Sequence, residues 1–279
     1  MFNRWFRPNT SLAFGYALSV VLVLVYVNMF PIWKLLSDRW GREVFVFLPI
    51  VLGAGSLILV SIIFSGRQQN ARSTVKKSVL IAGLVFCSIA LVIPDPQFPV
   101  KRIHVAEYVL LSLVVRFSMS FKLQGAPLLF FSACFASVLG VHDELLQGWH
   151  PSRTYGLRDI TVNTLASFGG AMIWHELNFF SWKKSLSDKQ TLSSRNCSSV
   201  YLVWLISGVI VFIIPLVLYR GSTIPSWPAM PLIGTIVYFS LYKDQFVTSW
   251  KHGIAALSIV SFALTLYPII NNVKALLFY

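Results

Sequence analysis

Repeated runs of apolar residues constrain the fold of this chain more than any other feature. A transmembrane helix needs about 20 mostly apolar residues to cross the hydrocarbon core of a bilayer. Nine segments of the sequence are predicted to be such spans. They cover about residues 11–32, 44–64, 79–93, 103–118, 127–147, 159–180, 199–219, 228–242 and 253–270. The pattern predicts an all-α, polytopic transmembrane helical bundle of about nine helices.

The composition supports a membrane protein and excludes a nucleic-acid-binding one. Only 12% of the residues are charged and 56% are hydrophobic, whereas soluble domains carry about 25% charged residues. The formal net charge is +13, but the basic residues are spread over many short loops and form no dense stripe. Nucleic acid is therefore not an expected partner, while anionic lipid or phosphate is.

The distribution of the basic residues predicts the orientation of the chain. If the N-terminus is cytoplasmic, 14 of the 23 Lys and Arg residues fall on the inner side. The two most basic loops, 65–78 and 181–198, both fall there, as the positive-inside rule requires. We therefore expect a multi-pass protein of a bacterial cytoplasmic (inner) membrane with its N-terminus in the cytoplasm.

The spans divide the chain into three predicted units. Residues 1–78 hold two N-terminal transmembrane helices, and residues 79–180 hold four helices. Residues 181–279 hold a cytoplasmic loop and three C-terminal helices.

One polar stretch stands out in this apolar sequence. Residues 143–163 contain five formally charged side chains. Charges at or near a bilayer are costly and persist where they are paired, hydrated or used. This stretch is therefore the predicted location of function.

Helical spacing groups the polar residues of this stretch into faces. In the fifth span, Glu144 and Gln147 are three residues apart and share a face, and Asp143 lies four before Gln147. In the sixth span, Asp159 and Asn163 are four apart and begin a stripe that continues in small residues. Small residues allow helices to approach closely, and polar ones can form hydrogen bonds across the contact.

The fourth span carries a third polar face. Lys101, His104 and Tyr108 form a stripe, with Glu107 three residues after His104. In the predicted topology, the start of this helix, the end of the fifth and the start of the sixth all lie on the outer side. The three faces are thus expected to converge on one extracytoplasmic mouth.

These motifs together resemble the VanZ-like membrane protein family. The resemblance rests on Lys101-x-x-His104-x-x-x-Tyr108, Glu144-x-x-Gln147-x-x-x-Pro151-x-Arg153 and Asp159-x-x-x-Asn163, and it covers about residues 79–178. It implies a VanZ-like core of helices three to six. The namesake of the family is associated with resistance to the glycopeptide teicoplanin, so a cell-envelope or antibiotic-resistance role is implied. Ser152 and Ala166 stand where the family commonly has glycine.

The first functional hypothesis is lipid binding. Lys101, Arg102, Arg153 and Arg158 could hold a phosphate or pyrophosphate, for which the planar guanidinium group is well suited. The expected ligand is an anionic envelope lipid or a polyprenyl-linked glycan intermediate. The predicted ligand-binding residues are Lys101, Arg102, Glu107, Tyr108, Gln147, Arg153, Arg158 and Asn163.

The second hypothesis is a membrane-embedded hydrolase or transferase that acts on a lipid-linked substrate. His104 beside Glu107, or Glu144 in apolar surroundings, could transfer protons, and Asp159 could orient a partner. The predicted catalytic residues are thus Glu144, His104 and Asp159. No nucleophile motif is evident, so the sequence leaves open whether the chain is an enzyme.

Two further interpretations complete the set. The polar residues could form a structural network within the bundle, or the chain could be a structural partner of an envelope or polysaccharide-export assembly. The histidines and carboxylates have no diagnostic metal-ligand spacing, so neither a metal site nor a cofactor is predicted.

Overall fold

The computed structural model describes residues 8–41, 77–94, 99–150, 156–181, 192–219 and 221–274. Within these ranges every regular element is helical, which confirms the all-α prediction. The described α-helices are α1 (Pro8–Val27), α2 (Met29–Trp40), α3 (Lys77–Val92), α4 (Ile103–Met119), α5 (Gly125–Gly148), α6 (Leu157–Glu176), α7 (Leu192–Leu218), α8 (Met230–Tyr242), α9 (Lys251–Ala263) and α10 (Leu266–Lys274). A short 3-10 helix, Pro99–Arg102, leads into α4.

Four segments of the described chain are long and apolar enough to cross a membrane. They are Asn9–Val27, Gly125–Gly148, Ser193–Ile214 and Thr248–Lys274. Large apolar side chains on α7, such as Val200 and Val203, point outward and are more than half exposed. Apolar surface of this kind is favourable against lipid and unfavourable against water. The chain is therefore a membrane protein.

The helix bounds agree with most of the predicted spans. The second predicted span, 44–64, lies outside the described residues. The first predicted span, 11–32, extends past the end of α1, because a turn at Asn28 separates α1 from α2. The last, 253–270, is divided between α9 and α10.

Helix α6 is central to the part of the bundle that carries the polar residues. It packs against α3, α4 and α5. Glycines allow this close approach: a Cβ atom added at Gly169 would lie 2.8 Å from the Gly83 carbonyl oxygen of α3. One added at Gly170 would lie 2.9 Å from the Val109 Cα of α4. The stripe of small residues predicted for this helix thus lies at its contact with α4.

The other helices surround this group. Helix α1 packs against α4 and α5, α7 packs against α8, and α9 bridges α5 and α8.

The division between α9 and α10 frees a backbone carbonyl that a histidine then satisfies. The Leu264 N–H bonds to Ser261 O at 3.2 Å, so it does not continue the helical ladder to Val260 O. His142 Nε2 on α5 lies 2.9 Å from that oxygen, and Nδ1 lies 3.0 Å from the Tyr267 hydroxyl. Because a carbonyl only accepts, Nε2 donates and Nδ1 accepts from Tyr267. The side chain of His142 therefore supports the break.

A buried arginine fastens α4 to the end of α6. Arg116 is 0% exposed, and its Nε donates to Phe179 O at 2.8 Å while Nη2 donates to Ser181 Oγ at 3.2 Å. Both acceptors follow the last turn of α6, where a cation is favoured by the helix dipole. This contact lies at the opposite end of α4 from the polar faces.

Candidate functional site

The polar faces of α4, α5 and α6 meet at one end of the bundle. Helices α4 and α6 begin at this end and α5 finishes there, since α5 runs antiparallel to both. The buried side chains that converge are His104, Glu107, Tyr108, Asp143, Glu144, Gln147, Asp159 and Asn163. We call this set, with Lys101 at its edge, the polar cluster.

A chain of hydrogen bonds joins α4 to α5 in the centre of the cluster. The Tyr108 hydroxyl donates to Asp143 Oδ2 at 2.7 Å, and Gln147 Nε2 donates to Asp143 Oδ1 at 2.9 Å. Both carboxylate oxygens of Asp143, which is 0% exposed, therefore have a donor. Such bonds compensate for the loss of hydration of the buried group.

A histidine–glutamate pair lies at the start of α4, where His104 is about one turn before Tyr108. His104 Nδ1 is 3.0 Å from Glu107 Oε2, as expected for residues three apart on a helix. The backbone oxygen of Glu107 accepts a hydrogen bond from the Tyr26 hydroxyl of α1 at 3.0 Å. Helix α1, which the sequence did not connect with the site, therefore braces the helix that carries this pair.

An ion pair connects the entrance of α4 with the first turn of α6. Lys101 Nζ is 2.5 Å from Asp159 Oδ2. The lysine side chain is 38% exposed and the aspartate side chain 7%, so the pair lies at the boundary between the buried cluster and its surroundings. It holds the 3-10 segment before α4 against the start of α6.

Glu144 of α5 faces the N-terminus of α6. Its Oε2 is 3.4 Å from the backbone N–H of Gly156, which is the N-cap residue of α6 and provides no capping side chain. A carboxylate is favoured at this position, because the first N–H groups of a helix have no intrahelical acceptor. Glu144 also lies within Coulombic range of Asp143, Asp159 and His104.

Asn163 of α6 lies in the cluster at a point where the facing residue of α5 is a glycine. A Cβ atom added at Gly140 would lie 2.9 Å from Asn163 Cβ and 3.0 Å from Tyr108 Cε1. Asn163 therefore lies beside Tyr108 in the interface of the three helices. Its side chain is 0% exposed, and neither amide atom has a hydrogen-bond partner among the described residues.

The predicted site residues fall into three groups. Those brought together in the cluster are Lys101, His104, Glu107, Tyr108, Glu144, Gln147, Asp159 and Asn163. Arg102 and Arg158 are exposed, although each adjoins a residue of the Lys101–Asp159 pair along the chain. Arg153 lies outside the described residues.

The sequence led us to expect a mouth lined by cations, but the charges of the cluster are arranged differently. The buried part of the cluster holds four carboxylates, and Lys101 is engaged by one of them. The arginines Arg102 and Arg158 are at its edge. The cluster thus combines an acidic interior with a cationic rim.

Sequence reasoning omitted three residues from the candidate site. Asp143 accepts two of the hydrogen bonds of the cluster, and its position four residues before Gln147 was the available signal. Tyr26 and Gly140 carry no such signal, because their roles depend on which helices become neighbours.

The side chains of the cluster suit ligand recognition and proton transfer. The carboxylates and Gln147 can accept or donate hydrogen bonds, and the His104–Glu107 pair has the geometry of an acid–base pair. Among the residues that the structure describes, no three His, Cys, Asp or Glu side chains are grouped so as to hold a metal ion.

Comparisons of the chain with protein-family models, with curated proteins and with solved structures found no match.

Proposed function

We propose that this membrane protein binds the phosphate-bearing head group of an anionic envelope lipid or a lipid-linked glycan at the polar cluster. The observation that supports it most is the convergence of four buried carboxylates, with a cationic rim, at one end of a bundle of apolar helices. Ionisable side chains in such a place favour a functional role, since their burial in a membrane protein is costly.

The rim supplies the phosphate contacts in this proposal. Arg102 and Arg158 flank the Lys101–Asp159 ion pair along the chain, so both belong to the same end of the bundle. Arg153, in the motif Pro151-x-Arg153, is proposed as a third ligand from the sequence. Guanidinium groups bind phosphate through paired hydrogen bonds. The buried acidic residues then face the part of the head group beyond the phosphate.

The cellular setting belongs to the same proposal. The chain is placed in a bacterial cytoplasmic membrane with its N-terminus in the cytoplasm, so that the cluster opens to the outer side. The VanZ-like resemblance of residues 79–178 and the positive-inside distribution support this placement.

Cysteine accessibility tests the orientation. In a variant whose native cysteines are replaced by serine, Tyr155→Cys is expected to react with a membrane-impermeant maleimide in intact cells. Ser193→Cys, at the exposed start of α7, is the matched control and is expected to react only after the cells are lysed. The opposite pattern would place the cluster on the cytoplasmic side.

Removal of the rim charges tests the binding. The double variant Arg102→Gln/Arg158→Gln is expected to bind phosphatidylglycerol at least about tenfold more weakly than the wild type, because two charge-assisted contacts are lost. Native mass spectrometry of the detergent-purified chain with titrated lipid gives the affinities. The control Arg195→Gln/Lys243→Gln removes two exposed cations from other helix ends and is expected to leave binding unchanged. Equal loss in both double variants would refute the assignment to this rim.

The second candidate function is a hydrolase or transferase that acts on a lipid-linked substrate. The observation in its favour is the 3.0 Å approach of His104 Nδ1 to Glu107 Oε2, with Glu144 and Asp159 nearby. Addition of a polyprenyl phosphate or pyrophosphate to the same binding mixtures distinguishes the two candidates. A product that the wild type forms and His104→Gln does not would favour the enzyme.

A further inference from the structure

Two of the four buried carboxylates of the polar cluster are satisfied within the protein. Asp143 accepts hydrogen bonds from Tyr108 and Gln147 at 2.7 and 2.9 Å. Asp159 Oδ2 accepts a hydrogen bond from the ammonium group of Lys101, whose Nζ lies at 2.5 Å. These two acids therefore have partners within the protein.

The other two carboxylates are not satisfied in this way. Both oxygens of Glu107 are without a hydrogen-bond partner among the described residues, although His104 Nδ1 lies 3.0 Å from one of them. Glu144 Oε1 also has none, and Oε2 has only the long 3.4 Å contact with Gly156 N. The two residues are 5% and 1% exposed, respectively. Buried polar groups of this kind are almost always paired in folded proteins.

Asn163 points to a ligand independently of the acids. It is 0% exposed, and both its amide nitrogen and its amide oxygen lack a hydrogen-bond partner among the described residues. Its Cβ shares the contact at Gly140 with the ring of Tyr108, so it belongs to the same three-helix interface. An amide oxygen adds a further acceptor to the two unsatisfied carboxylates.

We propose that Glu107, Glu144 and Asn163 bind a primary ammonium group, so that the head group taken up by the cluster carries an amine beside its phosphate. This inference rests on the phosphate recognition in the proposed lipid-binding function, and it changes the expected lipid from an anionic one to a zwitterionic one that carries an ammonium group beside its phosphate. Carboxylates only accept hydrogen bonds, and an ammonium group offers three donors. The rim arginines bind the phosphate, and the acidic interior binds the amine.

The charge balance favours an amine over the hydroxyl groups of a sugar or glycerol. Hydroxyl groups could donate to Glu107 and Glu144, but they bring no positive charge to the acidic interior. An unpaired charge in a low-dielectric environment is costly, and a cation removes that cost. Hydrogen bonds between charged partners are also about twice as strong as neutral ones.

Three lipids with the same phosphate and different head groups test this inference on the unmodified protein. They are dioleoyl phosphatidylethanolamine, its N-acetylated form and dioleoyl phosphatidylglycerol, each titrated and measured by native mass spectrometry. The wild type is expected to bind the primary amine at least about tenfold more tightly than either of the other two. Equal binding of all three, or tighter binding of the diol head group, would overturn the amine assignment.

Variants then locate the selectivity. Glu107→Gln and Glu144→Gln are each expected to reduce the preference for phosphatidylethanolamine over its N-acetylated form about tenfold. Asp244→Asn, in an exposed acidic position at the opposite end of the bundle, is the control and should keep the preference. If both glutamine variants retain the wild-type preference, the site is elsewhere. Circular dichroism and thermal unfolding of each variant establish that it is folded.

Failure of this inference and failure of the proposed function give different results. If the three lipids bind equally and their binding still depends on Arg102 and Arg158, phosphate recognition is supported and the amine assignment is rejected. If none of the three lipids binds saturably, both the amine inference and the proposed lipid-binding function are contradicted.

Discussion

Replacement of Tyr108 by phenylalanine is expected to lower the free energy of unfolding by about 1.5–3 kcal/mol. The hydroxyl donates to Asp143 Oδ2 at 2.7 Å in a fully buried setting. Its removal leaves a buried carboxylate with one donor fewer and no access to water, while the ring still fills its space. Denaturation in mixed micelles, followed by the fluorescence of the nine tryptophans, measures the change.

Tyr201 provides the matched control for this prediction. It is also 0% exposed, and its hydroxyl lies 2.6 Å from Ser258 Oγ. Ser258 donates in turn to Ile254 O, so Tyr201 is the donor to a neutral acceptor. Tyr201→Phe is expected to cost only about 0.5–1.5 kcal/mol. Equal costs for the two variants would show that the carboxylate of Asp143 adds nothing to the Tyr108 bond.

Replacement of Gly169 by alanine is expected to destabilise the protein by about 1–3 kcal/mol. The added Cβ would lie 2.8 Å from the Gly83 carbonyl oxygen and 2.6 Å from Cys87 Sγ. Because one of these atoms belongs to the backbone of α3, α3 and α6 must move apart. The same displacement would disturb Asp159 and Asn163, which α6 also carries, so weaker lipid binding should accompany the loss of stability.

A substitution at Gly234 is the control that distinguishes this steric effect from the higher helix propensity of alanine. It also lies within a helix, but an added Cβ would be no closer than 3.6 Å to Trp204 Cζ2. Gly234→Ala is therefore expected to stabilise the protein by up to about 1 kcal/mol. The unfolding measurement used for Tyr108 compares the two variants. A stabilised Gly169→Ala protein would contradict the close contact of α3 with α6.

Much of the local structure could be predicted because it depends on local physics. The apolar runs around α4, α5 and α6 predicted their positions to within a few residues, since a buried helix in lipid must satisfy its own backbone and present apolar side chains. The break at Leu264 was not predicted. The sequence 253–270 is apolar throughout, and the break is supported by His142, which lies on another helix and donates a hydrogen bond to the freed carbonyl oxygen of Val260.

The membership of the site was predicted better than its electrostatics. Helical periodicity shows that Asp159 and Asn163 share a face, because residues four apart on a helix are always neighbours. It does not show that Asp159 pairs with Lys101, or that Glu107 and Glu144 have oxygen atoms without a hydrogen-bond partner among the described residues. Those outcomes depend on the rotation and axial offset of three helices against one another.

The sequence by itself determined that this chain crosses a membrane as helices and that three of these helices each carry a polar face. Both follow from residue composition and the helical repeat, which act over a few residues. Only the tertiary structure decided that the interior of the cluster is acidic, that Tyr26 braces α4 and that Gly140 admits Asn163. The physical reason is that hydrogen bonds and ion pairs act over about 3 Å, a distance that only the packing of separate helices sets.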